Sequence, residues 1–177
     1  MTRLVELLDG GESIGTIADH LDGLSHENRV EEVTALRPKQ VAALYERASG
    51  AHVELAFFVP EGVAAGTEVV HHGINTLPVI GGTFRKRLTR DGQDPSRLLG
   101  FNDSDGLVGA NVWFTGPGYF VVRPRGCDNP DGRDCDQLFI DYYEQPSDCP
   151  VQGWPEPKPF SSLTAALVWS KMCDYMW

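Results

Sequence analysis

Apolar residues in the first 49 positions recur at the spacing of helices. Ser25 can cap a helix whose apolar side chains follow at every third residue as far as Leu36. Pro38 suits the first turn of a second helix, and Gly50 is a signal for its end. The pattern therefore predicts a helical hairpin in this region. Two shorter helices are predicted before it, over residues 4–8 and 14–21.

From position 52 the pattern changes to short runs that are typical of strands. These runs cover residues 52–59, 67–72, 83–89 and 97–102. In the third run, Phe84, Lys86 and Leu88 alternate with a second set that comprises Thr83, Arg85, Arg87 and Thr89. Because successive side chains of a strand point to opposite faces, this run predicts a strand with one face in water.

The strongest strand pattern lies between Leu107 and Glu144. Three runs, at 107–114, 119–123 and 136–144, are separated by a Gly-Pro-Gly turn and a polar loop. We expect an antiparallel meander in which each run pairs with the next. In the last run, the alternation predicts one face with Leu138, Ile140 and Tyr142 and an opposite face with Phe139, Asp141 and Tyr143.

The last part of the chain combines an irregular segment with a predicted helix. Residues 145–160 contain five prolines, which predicts an extended strap with Trp154 as its anchor. A final helix is expected from Ser161 or Ser162 to the end, with Cys173 on its inner face. The apolar end of this helix favours either a buried helix tip or a longer natural chain.

Together these elements predict one α+β domain over residues 1–177. Its centre would be a curved antiparallel sheet or a partly closed β-barrel. The N-terminal helical hairpin (1–50) would cover one end of the sheet (51–144), and the C-terminal helix (161–177) would pack on it.

Composition and charge narrow the partners of this domain. The chain is 41% hydrophobic, which suits a folded core, and its net charge of −10 repels phosphate backbones. We therefore expect no nucleic-acid partner. The N-terminus lacks the apolar run of a secretory signal, and no stretch approaches the roughly 20 apolar residues of a membrane span. The sequence thus predicts a cytoplasmic protein with no membrane span.

Candidate catalytic residues are His71 and His72, with Asp141 and Tyr143 as partners. Histidine is a common general base, and a carboxylate or phenol beside it would complete acid–base chemistry. Adjacent strand residues face opposite sides, so the two histidines are not expected to hold one metal ion. The alternative is that the histidines are structural, that Tyr142 packs in the core and that the carboxylates lie in water.

Metal and cofactor motifs are absent from the sequence. The acidic loop after Cys127 lacks the spacing of a calcium-binding loop, and two cysteines without a nearby histidine do not predict a zinc site. Cys127 and Cys135 either form a disulfide across this loop or remain free thiols. No glycine-rich segment follows a strand and opens a helix. We predict no metal and no cofactor.

The aromatic-rich sheet favours a non-catalytic module that binds a small apolar or amphipathic ligand, because curved sheets often enclose a cavity. One alternative is a small enzyme that uses His71 or His72 with Asp141 or Tyr143. Another is a protein–protein interaction module that uses the helical hairpin or the end of the C-terminal helix. The side chains expected to line the ligand pocket are Phe84, Trp113, Phe120 and Tyr142.

Overall fold

The computed structural model describes residues 1–75, 82–104, 118–124, 138–157 and 173–176. The chain divides into two compact units. The helical unit comprises Met1–Ala51 and His72–Thr83, and the sheet unit comprises His52–His71 and Phe84–Trp177. The prediction of a single domain stays a prediction.

Four helices of the helical unit confirm the helices that the sequence predicts. They are α1 (Arg3–Asp9), α2 (Ile14–Asp22), α3 (His26–Thr34) and α4 (Pro38–Ala48). The hydroxyl of Ser25 accepts a hydrogen bond from the backbone N–H of Asn28 at 3.3 Å, as a helix cap does. None of the helices in the described ranges is long and apolar enough to cross a membrane.

The core of the helical unit is centred on α1 and not on the predicted hairpin of α3 and α4. Four of the seven residues of α1 are buried, whereas α3 buries none. α1 packs against α2, α3 and α4, so it lies between the other helices. The guanidinium of Arg47 on α4 also donates a hydrogen bond of 3.0 Å to the carbonyl of Leu8, which accepts a second one of 3.2 Å from the backbone N–H of Gly11 at the end of α1.

The sheet confirms the predicted α+β fold with a curved antiparallel sheet. Its strands are β1 (Val69–Asn75), β2 (Gly82–Arg90), β3 (Leu98–Ser104), β4 (Tyr119–Pro124), β5 (Leu138–Asp141) and β6 (Cys173–Met176). Their order in the sheet is their order along the chain, and β2 to β6 pair antiparallel. The antiparallel strands form a curled sheet that resembles half of a barrel.

The predicted meander is right about two strands and wrong about one pairing. β4 pairs with β3 on one side and with β5 on the other, so both edges of Val121 and Val122 are occupied. The strand next to β4 is therefore β3, which comes from the weaker run at 97–102. The sequence pattern predicts the run at 107–114 in that place. Residues 107–114 lie outside the described residues. The hydrophobic pattern predicts strands well, but pairing depends on contacts between distant parts of the chain.

Side chains from Leu138 to Tyr143 alternate between buried and more exposed positions, as the sequence predicts. Leu138, Ile140 and Tyr142 are each 2% exposed, whereas Tyr143 is 68% exposed. The core of the sheet unit comprises Val59, Leu88, Leu98, Phe120, Val122, Leu138, Ile140 and Tyr142.

One position on the predicted wet face of β2 is buried. The side chain of Thr89 is fully buried, and its hydroxyl accepts a hydrogen bond from the backbone N–H of Gly66 at 3.0 Å. The neighbouring Arg87 meets the prediction better, because it is half-buried and pairs with Glu68 and Asp103 at 2.7 Å each. A hydroxyl is buried cheaply once it has a hydrogen-bond partner.

Residues 52–59 were expected to form a strand, and the structure corrects this prediction. They contain a short helix, α5 (Leu55–Phe58). Leu55, Phe58 and Val59 pack against the core of the sheet unit, while Phe57 is 70% exposed. The buried residues are three and four positions apart, which is the period of a helix. In the sequence, a run this short is compatible with the period of a helix and with that of a strand.

The end of the chain also differs from the prediction. Cys173–Met176 is strand β6, not the last turn of a helix, while residues 158–172 lie outside the described residues. Met176 is opposite Leu138 of β5 and packs against the core of the sheet unit. The free edge of β5 presents backbone N–H and C=O groups that need hydrogen-bond partners. Pairing with Cys173–Met176 supplies these partners, which outweighs the local preference of that segment for a helix.

The proline-rich strap is confirmed for its described part. Residues 145–157 contain no helix or strand, and Trp154 is 8% exposed. Its ring lies 4.9 Å from that of Phe101, and its indole N–H donates a hydrogen bond of 2.6 Å to Glu68. The strap is therefore anchored to the sheet unit as the sequence predicts.

Candidate functional site

The candidate site is built around the amine of Lys86, on the core-facing side of β2. Antiparallel pairing places Asn102 of β3 directly opposite Lys86. The amine donates hydrogen bonds to Asn102 Oδ1 at 2.9 Å and to the hydroxyl of Tyr142 at 2.6 Å. The Tyr142 hydroxyl in turn donates to Asp174 Oδ2 at 3.2 Å. We call these four residues, with Phe84 and Phe120, the Lys86 site.

Three aromatic rings surround the amine. Nζ of Lys86 lies 5.4 Å from the ring centroid of Phe84, 4.8 Å from that of Phe120 and 5.2 Å from that of Tyr142. At these distances an ammonium group is attracted to the negative face of an aromatic ring. The structure thus brings together three of the four side chains that the sequence nominates for a ligand pocket. Trp113 lies outside the described residues.

Gly100 of β3 holds the ring of Phe120 in this position. The two residues are opposite each other in the pairing of β3 with β4. A Cβ at Gly100 would lie 2.6 Å from Phe120 Cε2 and 2.7 Å from the carbonyl oxygen of Arg87. Because no other residue leaves this space, the ring lies directly over the glycine backbone.

Burial and charge set the protonation of the Lys86 site. Burial lowers the pKa of Lys86 from 10.5 to about 8, although the nearby carboxylate of Asp174 opposes this. Burial also raises the pKa of Tyr142, and the negative charge of Asp174 adds to that effect. Near pH 8 the site therefore holds a protonated phenol beside an amine that exists in both its charged and neutral forms.

The Lys86 site lies partly open to water. Lys86 and Asn102 are half-buried, and Asp174 is exposed, whereas the ring of Phe120 is fully buried. Among the residues that the structure describes, no carboxylate forms an ion pair with the Lys86 amine. The chemistry of the site is thus that of a hydrogen-bond donor with an apolar wall, which also becomes a nucleophile when it loses its proton.

The predicted catalytic histidines contact other groups. Nε2 of His71 donates a hydrogen bond of 2.8 Å to the carbonyl of Phe58, whose ring also packs against the imidazole. The ring of His72 lies 5.7 Å from that of His26 in the helical unit. Within the described ranges, no three histidine, cysteine or acidic side chains are grouped to hold a metal ion.

Of their predicted partners, Asp141 is the last residue of β5 and Tyr143 follows two residues after it. Asp141 accepts hydrogen bonds of 2.9 Å from Arg123 and from the backbone N–H of Tyr143. The hydrogen bonds shown for His71 and for Asp141 are thus made with other residues and not with each other. Acid–base catalysis by a histidine with Asp141 or Tyr143 stays a prediction.

Two grooves on the sheet unit are lined by arginines. One has a volume of about 350 Å³ beside Arg90 and Arg97, and the other has about 400 Å³ beside Arg97 and Arg123. Arg97 is ion-paired with Asp91 at 2.6 Å and with Glu144, and Arg123 also contacts Glu144 at 3.7 Å. Because carboxylates already pair with Arg97 and Arg123, and Arg90 donates hydrogen bonds to backbone carbonyls, the grooves offer an anion less than the Lys86 site does.

Sequence reasoning placed Lys86 correctly in the strand but did not treat it as a functional residue. The signal was present, because Lys86 lies between Phe84 and Leu88 on the apolar face of an alternating run. A lysine at such a position must bury its amine or bend away. No sequence signal connects it to Tyr142, which follows 56 residues later, or to Asp174.

Comparisons of this chain with protein-family models, with curated proteins and with solved structures found no match. A functional proposal must therefore rest on the geometry of the site.

Proposed function

We propose that this protein binds a small amphipathic molecule whose polar end accepts hydrogen bonds from Lys86. The observation that carries the proposal is the amine of the half-buried Lys86 side chain, which lies among three aromatic rings without an ion pair from a described carboxylate. A carboxylate, phosphate or carbonyl group on the ligand would supply the missing acceptor. The rings of Phe84, Phe120 and Tyr142 would contact its apolar part.

The energetic argument concerns the cost of keeping an amine at this position. The lowered pKa of Lys86 means that its charged form is destabilised by burial. A methionine would fill similar space without that cost, and replacing buried charged groups with apolar ones is often neutral or stabilising. An anionic head group would offset the cost through a charge-assisted hydrogen bond. A binding role therefore explains a residue that stability alone does not favour.

The ligand's polar end and its apolar end would meet different parts of the Lys86 site. The amine and the Asn102 side chain supply polar contacts, and the aromatic rings supply apolar area. Small-molecule sites commonly combine a mostly apolar lining with a few polar groups that set orientation. We therefore expect selectivity for the head group and tolerance of chain length.

Isothermal titration with octanoate, octanol and octylamine tests this proposal, because the three ligands share an apolar chain and differ in charge. We expect octanoate to bind at least tenfold more tightly than octanol, and octylamine to bind least. Lys86→Met should remove the preference for octanoate. Lys39→Met is the matched control, because Lys39 is an exposed lysine on α4.

Two results would overturn the proposal. One is equal affinity of the wild-type protein for octanoate and octanol, and the other is unchanged octanoate binding by folded Lys86→Met. If Lys86→Met does not fold, Lys86→Gln tests the same point with a neutral polar side chain. Enzymatic and protein–protein roles, and a cytoplasmic location, remain predictions of the sequence.

A further inference from the structure

The Lys86 site contains the groups that imine formation requires. A primary amine adds to an aldehyde when it is neutral, when the carbonyl carbon reaches it and when a proton donor assists the loss of water. The hydroxyl of Tyr142 lies 2.6 Å from Nζ of Lys86, within reach of any group that is bonded to this nitrogen. The Oδ1 atom of Asn102 accepts a second hydrogen bond from the amine, at 2.9 Å.

A proton path leads from the amine to solvent. The amine donates to the Tyr142 hydroxyl, which donates at 3.2 Å to the exposed carboxylate of Asp174. Protons that leave the nitrogen or reach the departing oxygen can pass along this chain without crossing the apolar wall. The path joins Lys86 on β2, Tyr142 directly after β5 and Asp174 on β6. All three residues belong to the sheet unit.

We propose that Lys86 forms a reversible imine with apolar aldehydes, and that such aldehydes are a ligand class of the Lys86 site. The proposal rests on the proposed function, since it uses the same amine and the same aromatic rings. The rings of Phe84, Phe120 and Tyr142 would hold the aromatic or alkyl part of the aldehyde close to Nζ.

The reaction balances without an oxidant or a reductant. The lone pair of Nζ attacks the carbonyl carbon and forms the C–N bond, while the carbonyl oxygen takes the proton of the Tyr142 hydroxyl. The positively charged nitrogen returns a proton to the Tyr142 oxygen, which gives a neutral carbinolamine. The Tyr142 hydroxyl then protonates the carbinolamine oxygen, the C–O bond breaks and that oxygen leaves as water. The nitrogen passes its remaining proton back to the Tyr142 oxygen. The products are a C=N bond and one water molecule.

The protonation of the site supports this chemistry. Because burial lowers the pKa of Lys86 to about 8, a substantial share of the amine is neutral near pH 7.5. An ordinary lysine, which titrates near pH 10.4, is neutral on the order of 100-fold less often at that pH. The phenol of Tyr142, whose pKa burial raises, keeps the proton that it must donate.

Reductive trapping tests the proposal. The full chain is incubated with benzaldehyde and sodium cyanoborohydride near pH 7.5, and modified amines are located by peptide mass spectrometry. We expect Lys86 to be labelled at least tenfold faster than the other lysines, which are Lys39, Lys158 and Lys171. The α-amine of Met1 is an internal reference, because it is an exposed amine without an aromatic wall.

The variants separate reactivity from binding. Lys86→Arg keeps the positive charge but forms no imine under these conditions, so its labelling should be lost at this position while that of Lys39 persists. Tyr142→Phe should slow labelling of Lys86 by on the order of 100-fold, because general acid catalysis typically contributes about 100-fold or more. Since Phe keeps the ring, octanoate binding should change much less. A purely structural role of Tyr142 would move both readouts together.

Each outcome decides one of the two proposals. Octanoate should protect Lys86 of the wild-type protein from labelling, a test that needs no variant to fold. Labelling spread evenly over all lysines, with octanoate binding intact, would overturn the imine proposal and leave the binding proposal standing. Absence of octanoate binding, with rapid labelling of Lys86, would overturn the binding proposal and leave a reactive lysine.

Discussion

Replacing Lys86 with methionine should change the pH dependence of stability in a defined direction. Burial lowers the pKa of Lys86 in the folded protein from 10.5 to about 8. Between these values the unfolded chain binds a proton that the folded chain has released. Stability rises with pH wherever the unfolded state binds more protons. The free energy of unfolding of the wild-type protein should therefore rise with pH relative to that of Lys86→Met.

The magnitude follows from the two pKa values. The interval from 10.5 to about 8 corresponds to about 3 to 4 kcal/mol, at about 1.4 kcal/mol for each pKa unit. From about pH 7 to 9.5, the free energy of unfolding of the wild-type protein should rise by about 2 kcal/mol relative to that of Lys86→Met. Tyr142, whose pKa burial raises, affects stability only above about pH 10, and both proteins contain it.

Urea unfolding, followed by tryptophan fluorescence at several pH values, measures this difference. Hydrogen bonds lost in Lys86→Met shift its stability by a constant amount, so the slope with pH carries the information. Lys39→Met is the control, and its stability should run parallel to that of the wild-type protein because Lys39 is exposed. A difference between wild type and Lys86→Met that stays constant from pH 7 to 9.5 would refute the reasoning.

Three further predictions concern stability. Gly100→Ala should destabilise the protein by about 1–3 kcal/mol, because its Cβ would overlap the facing ring, whereas Gly62→Ala has open space and should be near neutral in urea unfolding. Trp154→Ala should cost about 3–5 kcal/mol in the same assay, since the ring is 8% exposed, and a loss below about 1 kcal/mol would show that the strap is not anchored by it. Burial would raise the pKa of Glu32, but hydrogen bonds to a histidine and to backbone N–H groups lower it overall. Glu32→Gln should thus destabilise the protein at pH 7 by about 2 kcal/mol. This difference should shrink as pH falls below the ordinary value of 4.5, and Glu31→Gln, at an exposed position, should not show it.

Much of the local structure follows from the sequence alone. Ser25 caps α3 and Pro38 begins α4, because these signals act within one helical turn. Alternation likewise identifies β2 and β5 and the inward face of β5, whereas β4 is identified by a continuous apolar run. Alternation also places Lys86 on the face of Leu88 and Phe84. The aromatic side chains of the site, which are Phe84, Phe120 and Tyr142, are likewise nominated from the sequence.

Tertiary structure decided how these elements combine. The pairing of β4 with β3, the strand at Cys173–Met176 and the helix at Leu55–Phe58 each differ from the local pattern. Short runs fit both helix and strand periods, and packing against a core chooses between them. Which strands pair depends on contacts between residues that are distant along the chain, and the local sequence pattern does not contain this information.

The Lys86 site shows the same division. Sequence alternation turns the amine of Lys86 inward, but only the sheet brings it to Tyr142, which is 56 residues away along the chain, and to Asp174. The lowered pKa arises from burial, which is a property of the assembled fold and not of neighbouring residues. A lysine with ordinary chemistry in the sequence thereby becomes a hydrogen-bond donor and nucleophile with an apolar wall.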